Sequence, residues 1–94
     1  MNLELAGKTA LVSGSTKGIG FAIANLLAAE GARVIVNGRT GEAVSAAIGK
    51  ILAASPAAKV EGFAGDLGTA AGAEALVAKF PAVDILVNNL GIFE

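Results

Sequence analysis

Four short apolar runs alternate with three segments whose apolar residues recur at helical spacing, and the links between them are only a few residues long. Thr9–Val12 (TALV), Arg33–Asn37 (RVIVN), Lys59–Gly65 (KVEGFAG, interrupted by Gly62) and Asp84–Asn89 (DILVNN) predict strands. RVIVN is rich in β-branched residues, which suits a strand buried on both faces. From Gly18 onward, Ile19, Ile23, Leu26 and Leu27 fall at i, i+4, i+7 and i+8, which predicts a helix with those residues on its apolar face. Gly31 suits the C′ position that ends it. Thr40 is placed to cap a second helix with Val44, Ile48, Ile51 and Leu52 inward, running out before Ser55-Pro56. Thr69 is placed to cap a third, with Ala73, Leu76, Val77 and Phe80 inward and Pro81 closing it. Alternation of this kind, with short links, predicts a parallel α/β sheet, right-handed crossovers and helices on both faces.

Composition narrows the function classes. The 94 residues make one small domain at most, yet 54% are hydrophobic and only 16% charged. A free-standing domain of this size usually carries more polar surface, so either a partner covers apolar surface or the chain is part of something larger. A net charge of −1 without a basic patch argues against nucleic acid as a partner. Cysteine is absent, which rules out disulfides and thiolate metal sites, and the absence of histidine removes the usual base at neutral pH. No apolar run approaches the roughly 20 residues that span a bilayer. Glu4 lies within the first apolar stretch and no basic region precedes it, so no signal peptide is expected and the cytoplasm is the default compartment.

The stretch SGSTKGIG (residues 13–20) lies between the first strand and the first helix. In parallel sheets ligands bind beyond the carboxyl ends of the strands. A helix N-terminus offers unpaired N–H groups and about half a positive charge, which together favour a phosphate. On this reading Gly14 makes the turn, Gly18 lets a diphosphate approach, and Gly20 lets the helix pack closely on the strand. The plain alternative is a glycine-rich turn with no ligand, and the spacing Gly-x3-Gly-x-Gly differs from the commoner dinucleotide fingerprint.

Together with Asn88-Asn89-Leu90-Gly91, the stretch Ser13-Gly14-Ser15-Thr16-Lys17-Gly18-Ile19-Gly20 resembles the short-chain dehydrogenase/reductase family. That family opens with a TGxxxGxG turn and carries NNAG at the end of its fourth strand. The interval between the motifs and the Asp66-Leu67 pair after the third strand match as well, so the resemblance covers essentially the whole chain. Ser13 stands where the family has threonine, and Leu90 where it has alanine. The resemblance implies a Rossmann-type doubly wound parallel sheet with strand order 3-2-1-4. It also implies that residues 1–94 are the N-terminal part of a dinucleotide-binding domain, cut after its fourth strand. The expected cofactor contacts are then Gly14, Ser15, Thr16, Lys17, Gly18, Ile19, Gly20, Arg39, Asp66, Leu67, Asn88, Asn89 and Gly91.

The second strand ends in Asn37-Gly38-Arg39-Thr40, without the acid that enzymes preferring NAD usually present about 20 residues past the glycine loop. A carboxylate there would repel a 2′-phosphate, whereas the fork of Arg39 can bind one at two points. The resemblance implies that Lys17 adds a second positive charge, so NADP(H) is expected over NAD(H). It implies that Asp66 meets the adenine amine beside the Leu67 backbone, although a loop aspartate just ahead of the third helix also suits the helix dipole. Of Asn88 and Asn89, one is expected to tie the fourth strand to its neighbours and the other to meet the ribose, in an order the sequence leaves open.

Family members move a hydride between nicotinamide and a carbonyl or alcohol, with a tyrosine, a lysine and a serine supplied after the NNAG motif. This chain has no tyrosine at all, so no catalytic residue is assigned and the 94 residues alone are expected to be inactive. Three readings follow: the N-terminal half of an NADP(H)-dependent short-chain oxidoreductase, a non-catalytic nucleotide-binding or assembly module, or a ligand-free remnant stabilised by another chain. In the family the fourth strand is interior, so for the 94 residues in isolation its bare outer edge is expected to drive self-association, strand swapping or aggregation.

Overall fold

The computed structural model describes residues 5–89. Its elements run β1 (Thr9–Val12), α1 (Gly18–Ala29), β2 (Arg33–Gly38), α2 (Gly41–Ala54), β3 (Lys59–Ala64), α3 (Ala70–Lys79) and β4 (Ile85–Val87). The strands form one parallel sheet in the order β3-β2-β1-β4, the Rossmann-like arrangement that the sequence led us to expect. Val12 pairs with Val36 on one side and Val87 on the other, and Gly38 with Ala64. That register brings the carboxyl ends of all four strands, with their loops, to one end of the sheet.

Alternate residues of each strand face opposite ways, which divides the core in two. Ala10, Val12, Val34 and Val36 pack with Ala24 and Ala28 of α1 and with Val44, Ala47 and Ile51 of α2. Leu11, Ile35 and Phe63 turn the other way, toward Leu76 of α3 and Phe80 at its end. Gly62 does not break β3: a side chain there would meet Val44 Cγ1 at 2.4 Å, so the gap admits α2. At the base of the sheet the Asp84 carboxylate accepts from the Thr9 amide at 2.9 Å.

The helix ends follow local chemistry. Thr40 and Thr69 accept through their side chains from the amides of Ala43 and Gly72, each satisfying a free N–H of the first turn. Gly31, at φ +98°, closes α1 with a paired C-terminal motif: its amide donates to the Ala28 carbonyl and that of Ala32 to Leu27.

The helix faces depart from the apolar periodicity. In α1 the fully buried residues are Gly20, Ala24 and Ala28, while Ile23 and Leu27 pack at the border of the core. Ile19 and Leu26, expected inward, are 68% and 51% exposed. The helix meets the sheet along its smallest residues, which lets the backbone come close and pushes bulkier neighbours to the rim. In α2, Ala47 takes the inward place expected of Leu52; in α3, Ala73 and Val77 face outward. Among the described residues no helix is long and apolar enough to cross a membrane.

Candidate functional site

The glycine loop leaves β1 and is tied down before it reaches α1. The Ser13 amide donates to the Val87 carbonyl at 3.0 Å, and Gly14 turns the chain at φ +57°. The Gly14 amide donates to Asn37 Oδ1 at 3.0 Å, and the Ser15 amide to the Asn37 carbonyl at 2.8 Å. The Ser15 hydroxyl, fully buried, donates to the Val12 carbonyl at 2.6 Å and accepts from the Asn37 amide at 2.8 Å. Ser15 is thus a structural pin within the loop.

Beyond Ser15 the pattern changes. The amides of Thr16, Lys17, Gly18, Ile19 and Gly20 have no acceptor among the described residues. Lys17 is the N-cap of the 12-residue α1, makes no side-chain cap, and no acid lies in the first turn. Among the described residues nothing compensates the positive end of the helix. Gly18 holds φ +62°, a conformation that L side chains rarely adopt. A Cβ on Gly20 would stand 2.3 Å from the Gly14 carbonyl oxygen and 2.6 Å from Asn89 Nδ2. The close contact of Gly20 is thus with the turn and the end of β4.

The surrounding loops complete the rim. A Cβ on Gly38 would meet the Thr16 methyl at 2.4 Å, so the tip of β2 lies directly under the glycine loop. Arg39 and Lys17 are each next in sequence to one of the touching residues; both are exposed and neither forms an ion pair among the described residues. Asp66 Oδ1 accepts from the Gly68 amide at 2.8 Å, and its carbonyl accepts from the Thr69 hydroxyl at 3.0 Å. One carboxylate oxygen of Asp66 is therefore committed to the turn that starts α3, whereas Leu67 packs on the second core cluster.

Asn89 is a tie between strands. Its amide donates to the Ser13 hydroxyl at 2.7 Å and Nδ2 to the Gly14 carbonyl at 3.3 Å. Asn88 is exposed, and its Oδ1 accepts from Ser13 at 3.4 Å. Leu90 and Gly91 lie outside the described residues. Sequence reasoning missed Asn37 and Gly38 as residues that shape this site. A polar side chain at the tip of an otherwise apolar buried strand was the available signal for Asn37, since buried polar groups need partners. Among the described residues no cluster of His, Cys, Asp or Glu is arranged to hold a metal ion.

Comparison with known proteins gives this geometry a context. The family description "short chain dehydrogenase" matches residues 8–94. The chain is 55% identical over 94 residues to an uncharacterized oxidoreductase, YvaG, of Bacillus subtilis strain 168, covering all of this chain and 36% of that protein. L-Sorbose reductase from Gluconobacter frateurii, solved with NADPH and L-sorbose, superposes with a TM-score of 0.85 at 33% identity, over 100% of this chain and 37% of that one. A metagenomic short-chain oxidoreductase in complex with NADP gives 0.78 at 37% identity, over 94% and 41%. The chain thus spans little more than a third of the length of such relatives, and it belongs to the short-chain dehydrogenase family.

Proposed function

We propose that the chain binds a nicotinamide dinucleotide at the carboxyl end of its sheet, NADP(H) in preference to NAD(H). The observation that carries this reading is the run of five amides, Thr16 to Gly20, left without acceptors among the described residues at the N-terminus of α1. Such a cradle suits a diphosphate, which needs several donors and a close backbone approach. Gly20 fits the same purpose, because a side chain there would push the Gly14 turn out of place. Arg39 and Lys17 supply cations for a 2′-phosphate, with no acid at the tip of β2 to oppose it. Asp66 keeps one oxygen for the adenine edge, and exposed Asn88 is the asparagine left for the ribose, since Asn89 is tied to Ser13 and Gly14. The two superposable relatives that carry NADPH and NADP support this choice of ligand.

When bound, the dinucleotide supplies a hydride donor or acceptor, and the residues of this chain hold and orient it. In a full-length relative the unit would serve carbonyl reduction or alcohol oxidation. Without tyrosine or histidine, the 94 residues lack a group suited to proton transfer at neutral pH and bind without turnover. The outer edge of β4, with Leu86 66% exposed, is a surface for self-association. The test is titration of the chain with NADPH and NADH. Saturable binding, tighter for NADPH, is expected; binding of neither at millimolar concentration would overturn the proposal.

A further inference from the structure

We infer that Asn37 is a positioning residue which sets the shape of the glycine loop and locks it to the loop that follows β3. This rests on the dinucleotide reading and adds a residue outside the family motifs recognised in the sequence. Asn37 is 2% exposed at the end of β2. Its carboxamide oxygen accepts from the Gly14 amide at 3.0 Å, while Nδ2 donates to the carbonyls of Phe63 at 3.0 Å and Gly65 at 3.1 Å. Its backbone is bonded on both sides by Ser15. One side chain thus joins the turn ahead of the free amides to the segment that leads into Asp66.

Only a carboxamide of this length meets the demand. It offers one acceptor for an N–H and two donors for two carbonyls from a single planar group. By occupying the Gly14 amide the side chain fixes the turn, while the Asn37 carbonyl takes the Ser15 amide, so the unpaired run of donors begins at Thr16. With both side-chain hydrogens engaged, Asn37 acts through the two loops and leaves the ligand to them.

The test uses Asn37→Ala, Asn37→Asp and Arg39→Ala alongside the parent chain, with NADPH and NADH titrations and amide hydrogen exchange. In Asn37→Ala both dinucleotides should weaken in parallel by about 10-fold or more, the loss of at least one well-placed hydrogen bond, with the NADPH/NADH ratio retained. The Gly14 amide should exchange faster. Arg39→Ala should instead change the ratio. Asn37→Asp keeps the acceptor and loses both donors, so Gly14 protection should hold while the amides of Gly65 and Asp66 shift and affinity still falls. Parent-like affinity and Gly14 exchange in Asn37→Ala would overturn the inference. Loss of the folded state in both Asn37 variants would also overturn it, by making the residue one of fold alone. If the parent binds neither dinucleotide, the functional reading fails, and the Gly14 and Gly65 amides still decide whether Asn37 organises both loops.

Discussion

Gly20→Ala probes the join between the cradle and the rest of the sheet. The added carbon would lie 2.3 Å from the Gly14 carbonyl oxygen, so restoring an ordinary 3.4 Å contact needs a separation of about 1.1 Å. A flexible side chain cannot yield that distance, because the obstacle is backbone anchored by Asn37 through the Gly14 and Ser15 amides. Either the turn moves out or α1 lifts off the sheet. Overpacking of this kind costs about 1–3 kcal/mol. For a domain of this size that lowers Tm by on the order of 5–20 °C. The same displacement misaligns the amides that follow, and losing one charge-assisted hydrogen bond to a phosphate costs about 1.5–3 kcal/mol, or roughly 10- to 150-fold in Kd. Circular dichroism melting gives the first number and NADPH titration well below Tm gives the second. A variant that melts and binds like the parent would refute both the tightness of this contact and its role in shaping the cradle.

Two further outcomes are expected. Arg39→Ala should remove most of the preference for NADPH over NADH while leaving NADH affinity near the parent value, measured by parallel titrations; an unchanged ratio would separate Arg39 from the 2′-phosphate. Leu86→Lys should shift the chain toward monomer in size-exclusion chromatography with light scattering, since a charge on a strand edge disfavours edge-to-edge pairing and an exposed side chain contributes little to the core. Retention of the parent's oligomeric state would remove β4 from the interface.

The elements were legible where local chemistry decides them. β1 spans the residues expected, Thr40 and Thr69 cap the helices assigned to them, and Gly31 takes the left-handed C′ position. What periodicity missed is governed by distance between elements. It ranks side chains by size and hydrophobicity, so it chose Ile19 and Leu26 for the inner face of α1. The sheet instead lies so close that Gly20, Ala24 and Ala28 fit there. The glycine loop stood out because a run of glycines is a local feature. Asn37 did not, because its side-chain partners are 23 to 28 residues away and become neighbours only when three parallel strands align their ends.

The most direct measurement is an amide-resolved NMR titration of the chain with NADPH. If the donors that lead into α1 receive the diphosphate as proposed, the amide resonances of Thr16 to Gly20 should move most, with Arg39 following. Saturating ligand that leaves those amides in place while perturbing another surface would contradict the account.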